Sequence, residues 1–136
     1  MTERVWIYVI SKEHSEEQLS MLTLNCKAFV DGWTAHEIKL AASFEIFKKR
    51  LLIFKVDESA YNASGCSIDK LQRFVKEQEI HFNMELLNRL LVVYDKNEEP
   101  IVVHSSKITE LLQSGEINNE TLIYDLEINK VFCLNQ

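Results

Sequence analysis

The stretch Ala63-Ser64-Gly65-Cys66-Ser67-Ile68-Asp69 sets a thiol, hydroxyls and a glycine side by side, in a chain with only three cysteines and three glycines. Ile68, Leu71, Val75, Gln78 and Phe82 follow at helical spacing, so a helix is expected to begin at about Ser67. The first turn of a helix has amides without acceptors and a partial positive charge, which suits an anion. Gly65 would let the backbone approach a ligand closely or take a positive φ. Ser64 and Ser67 add hydroxyl donors, with Ser67 the expected N-cap. A Cys66 thiolate would be stabilised by the same helix end and opposed by Asp69.

Two chemistries follow from that stretch. One is the binding of a small anionic ligand or a peptide carboxylate at residues 64–69. The other is a thiol enzyme: Cys66 as nucleophile, His36 as base, and Ser64 or the helix amides as the oxyanion site. The plain alternative is a tight turn and cap with Cys66 packed beneath it, and caps are commoner than active sites.

Other reactive residues offer less. Asp57 and Glu58 could hold Mg²⁺ or serve as acid and base, but adjacent carboxylates usually point apart, which favours solvation. His14, His81 and His104 are scattered, none at zinc spacing with cysteine, and HExxH is absent. No metal and no cofactor is expected. Cys26 falls in the apolar stripe Leu19, Leu22, Cys26, Phe29, Trp33 and reads as core.

The elements that must position these residues can be read in order. Residues 4–10, "RVWIYVI", form a first strand, and "SEEQ" at 15–18 is a capping box for the first helix, which Gly32 closes. After the connection "WTAHEIKLAA" come strands at 43–47 and 51–57, joined by a turn at Lys48-Lys49-Arg50. The second helix and a fourth strand at 90–95 complete a β-α-β-β-α-β order. The expected fold is therefore α+β, a ferredoxin-like core in one domain spanning 1–136, with strand order 4-1-3-2 and both helices on one face. A C-terminal β-α-β extension of the same sheet follows: a strand at 101–105, a helix from about Ser106 to Ser114 ended by Gly115, and a sixth strand at 121–126. The tail "VFCLNQ" pairs as a last short strand or lies loosely.

In this topology the loops 33–43 and 57–66 share one edge of the sheet. Trp33, Thr34, His36 and Ser43 should then meet Asp57, Glu58, Ser64 and Cys66, with Glu45 joining them. Strands one and three are apolar at nearly every position, so both of their faces should be covered. Helices cover one. The extension or a second copy must cover the other, since an open face bearing Trp6 and Tyr8 would be adhesive. A homodimeric interaction protein is the third functional reading.

The net charge of −6 argues against a general nucleic-acid binder, which needs a basic footprint. Three cysteines without CxxC spacing fit a reducing compartment, so a cytoplasmic protein is expected. The apolar N-terminal run is too short to span a membrane.

The segments "GWTAH", "ASFEI", "VDES…ASGCSID" and "NRLLVVY" resemble a family of small bacterial proteins of unknown function that often carry the label "ABC transporter ATPase". The likeness covers about residues 4 to 125 and is specific in the middle third. The family usually runs longer at its C-terminus, and many members have glycine after the histidine, where Glu37 stands here. The resemblance implies a bacterial protein and supplies no activity. The ATPase label fails on the residues. GxxxxGK[ST] is needed to cradle phosphates, yet Gly32, Gly65 and Gly115 lie far apart and no lysine precedes serine or threonine.

Overall fold

The computed structural model describes residues 3–126. Its elements in chain order are β1 (Glu3–Val9), α1 (Glu16–Gly32), β2 (Thr34–Ala35), β3 (Ile38–Lys39), β4 (Ala41–Phe47), β5 (Leu51–Asp57), α2 (Gly65–Phe82), β6 (Leu91–Lys96), β7 (Glu99–His104) and α3 (Ile108–Ser114). A 3₁₀ turn at Ser105–Lys107 leads into α3.

This is a mixed α+β fold. Its main sheet is antiparallel with order β1-β5-β4, and β2-β3 and β6-β7 are separate two-stranded ladders. The order agrees with the 1-3-2 portion of the expectation. The expected fourth strand, β6, pairs with β7 instead of the free edge of β1, so strand order does not establish a ferredoxin-like topology. The reason lies in the two apolar faces. Trp6, Tyr8, Leu52, Phe54 and Val56 join Leu22, Cys26, Leu71 and Val75 in the core under α1 and α2. The alternate residues Val5, Ile7, Val9, Leu51 and Ile53 form a second core with Val93 of β6 and Tyr124. The β6-β7 ladder thus covers the sheet rather than extending it in plane.

That cover corrects two expectations. Trp6 and Tyr8 are buried on the helical face and are not on an open one. The expected sixth strand at 121–126 is a single bridge, Tyr94 to Ile123, with Asp95 N–H donating to Leu122 O at 2.9 Å and Tyr124 N–H to Val93 O at 2.9 Å. It goes no further because Thr121 closes a turn onto Asn118 and Tyr124 turns its ring towards Phe47, 6.2 Å away. The tail "VFCLNQ" lies outside the described residues.

Local chemistry fixes the element ends. Ser15 Oγ accepts from Gln18 N–H at 3.1 Å, capping α1. The Gln18 side chain does not reach back as a capping box would: it meets His14 Nδ1 at 3.0 Å and Phe82 O at 3.5 Å. Gly32 is the last residue of α1 and takes no positive φ, so it is no left-handed cap. Lys39 Nζ instead donates to Val30 O near the helix end, and also to Leu40 O, both at 3.1 Å. Gly115, at φ 81, does end α3 in the left-handed region.

Three tight turns share one geometry. His36-Glu37, Lys48-Lys49 and Asn97-Glu98 all have positive φ at both positions, the signature of a type I′ hairpin turn. The basic run is thus a turn, and Arg50 is engaged beyond it, donating to Ile10 O at 3.0 Å and Ser11 O at 2.8 Å. Among the described residues no helix is long and apolar enough to cross a membrane.

Candidate functional site

Two segments distant in sequence meet at the start of α2. The β2-β3 hairpin follows α1 directly, and Trp33 at the junction is 1% exposed. Its ring lies edge-on to Trp6 at 5.7 Å, and its Nε1–H donates to Ser67 O at 2.8 Å. Trp33 therefore bolts the hairpin to the first turn of α2 from beneath; it is not available to a ligand. Lys70 Nζ reaches Thr34 Oγ1 at 3.4 Å and makes a second tie.

The loop 58–64 is held from the other side. Arg4 Nη1 lies 3.6 Å from Glu58 Oε2 and 3.5 Å from Ala63 O, while Glu58 Oε2 accepts Ala63 N–H at 2.7 Å. Glu58 is thus built into the loop as a backbone acceptor rather than aimed at a reactant. Asp57 Oδ1 accepts both Ser59 N–H at 2.9 Å and Ser59 Oγ–H at 2.5 Å. Those bonds, the hydroxyl's first, hold its carboxyl below the usual aspartate range. Both acidic residues therefore shape the turn. Arg4 was not singled out in the sequence, although a lone arginine opening an apolar strand was the available signal.

Between hairpin and loop runs an open groove of ≈ 470 Å³, with Ala35, His36 and Ile38 on one wall and residues 60–64 on the other. His36 is exposed and sits at φ 51 in its turn. Ser64, not Ser67, caps α2: Ser64 Oγ accepts Ser67 N–H at 3.1 Å, and Ser64 O accepts Ile68 N–H at 2.9 Å and Ser67 Oγ–H at 2.7 Å. α2 therefore begins at Gly65, two residues before the expected start, and Ser67 is wholly buried. The amides of Gly65 and Cys66 keep no protein acceptor among the described residues. A Cβ at Gly65 would meet nothing within 4 Å, and Gly65 has no positive φ.

His36 and Ser64 thus share the groove, with Thr34 beside it. Cys66 is exposed but is not among the groove-lining residues. Ser43 and Glu45 lie elsewhere. Their neighbours Ala42, Phe44 and Ile46 pack into the helical-face core, so Ser43 and Glu45 point to the opposite face, where Glu45 approaches Lys55 at 3.9 Å. No cluster of metal-ligating side chains occurs among the described residues.

Comparison with family models, curated proteins and solved structures finds no match to this chain.

Proposed function

We propose that the protein is a binding module for a small anionic ligand, received at the N-terminus of α2 beside the β2-β3 hairpin. The supporting observation is the pair of unengaged amides at Gly65 and Cys66, directly after Ser64, which lines the groove that also presents His36. Backbone donors at a helix start suit an oxyanion, since the amides already point outward and the helix dipole favours negative charge. A reducing, cytoplasmic setting belongs to this reading and is supported by the free Cys26 and Cys66. So does a ferredoxin-like arrangement of the run from β1 to α2, supported by the β1-β5-β4 order.

Sulfate titration followed by amide NMR tests the reading. Saturable shifts are expected at Gly65 and Cys66. Gly65→Ala places a methyl beside these amides. It should weaken sulfate binding at least severalfold while raising stability by about 0.4–1 kcal/mol, because alanine restricts the unfolded chain. Shifts that stay linear to about 50 mM sulfate, or an affinity unchanged in Gly65→Ala, refute the site.

The thiol-enzyme reading keeps the exposure of Cys66 in its favour. It lacks the groove position that His36 has. The dimer reading loses its motive, since β6-β7 and Tyr124 already cover the second sheet face.

A further inference from the structure

A second and larger cleft, of ≈ 580 Å³, opens at the free edge of β1. β1 is hydrogen-bonded only to β5 among the described residues, so alternate backbone groups along its other edge face this space. Ile7, Val9, Leu86 and Leu91 give the cleft an apolar lining, and the volume falls in the range of small-molecule sites.

Its polar lining includes Tyr8, Gln72, Asn88 and Arg89. Tyr8 is 6% exposed, and its hydroxyl has no hydrogen-bond partner among the described residues. A buried hydroxyl left unsatisfied costs roughly 1–3 kcal/mol, and folded proteins retain few of them. A phenylalanine would fill the same core without that penalty, so the hydroxyl is explained by something that completes its bonding. Burial pushes the Tyr8 pKa up, and the Gln72 side chain and the Arg89 charge act against that rise. Arg89 is exposed and makes no ion pair among the described residues. Asp125 also lines the cleft and has a contact of its own.

We propose that this cleft binds a small amphipathic carboxylate. The carboxylate accepts from the Tyr8 hydroxyl and the Gln72 amide and is paired by Arg89, while its apolar body lies against Leu86 and Leu87. One guanidinium and two neutral donors match one carboxylate. A phosphate, with more charge and more acceptor oxygens, would be left undersupplied. This site is separate from the α2 groove, and the two readings stand or fall independently.

Isothermal titration with sodium octanoate tests it, using 1-octanol as the uncharged probe. Wild-type protein should bind one octanoate saturably and 1-octanol more weakly. Arg89→Ala and Tyr8→Phe should each lower octanoate affinity about tenfold, the worth of one charge-assisted hydrogen bond. Tyr8→Phe should keep or raise the Tm, which separates a ligand-facing hydroxyl from a structural one. The proposal is overturned by absence of saturable octanoate binding, by unchanged affinity in both variants, by equal affinity for 1-octanol, or by a Tyr8→Phe protein that loses stability while binding octanoate as before.

Discussion

Cys26 and Cys66 show how position governs a side chain's chemistry. Cys26 is wholly buried between α1 and the sheet, and burial alone pushes its thiol up to about 12. Cys66 stands exposed on the first turn of α2. With iodoacetamide at pH 8, peptide mapping should find Cys66 alkylated in the native protein and Cys26 only after denaturation. Native-state labelling of Cys26 would mean that the core under α1 opens readily. Trp33 and Glu58 make the same point for polar groups. Both were candidate ligand contacts by type, and both are consumed in building the rim, Trp33 through Ser67 O and Glu58 through the Ala63 amide.

At the level of elements, the three type I′ turns are built without glycine. Glu37 at φ 66 and Lys49 at φ 65 occupy the left-handed region that disfavours side chains by about 1–2 kcal/mol. Part of that is recovered in any glycine replacement and part is lost to the freer unfolded chain. Glu37→Gly and Lys49→Gly should therefore each stabilise the protein by about 0.5–1 kcal/mol in urea unfolding. The same change at Lys55, within β5, should destabilise it. A loss of stability in both turn variants would show that these side chains contribute more than their backbone strain. The turn at Lys48-Lys49 was legible because apolar strands flank it. The β2-β3 hairpin was not, because "HE" lacks the Asn-Gly or Asp-Gly signal and its strands are two residues each.

For the whole molecule, stability rests on covering both faces of one three-stranded sheet. The second core joins Val5, Ile7, Val9, Leu51 and Ile53 to Val93 and Tyr124, and the Lys48 ammonium ties the β4-β5 turn to the Glu98 carbonyl. Lys96 and Glu116, 2.6 Å apart, hold the end of α3 to β6. Val93→Asp would bury an unpaired carboxylate in that layer. It should destabilise by at least about 3 kcal/mol and expose the sheet face, read as dye binding and concentration-dependent self-association in light scattering. A variant that remains as stable and as dispersed as wild type would show that β6 does not cover the sheet.

Periodicity and composition determined the α+β class, the two long helices, the three-strand run 1-3-2 and the need for a second cover, because burial patterns repeat along the chain with the period of each element. The meeting of residues 34–38 with 60–64 also followed from strand direction alone. Only the tertiary structure decided that β6 stacks on the sheet, that Ser43 and Glu45 face away from α2, and that Tyr8 lines a cleft with Gln72 and Arg89. Those outcomes depend on which surfaces compete for one apolar face and on strand register counted from a distant pair. Neither quantity is carried by any local stretch of residues.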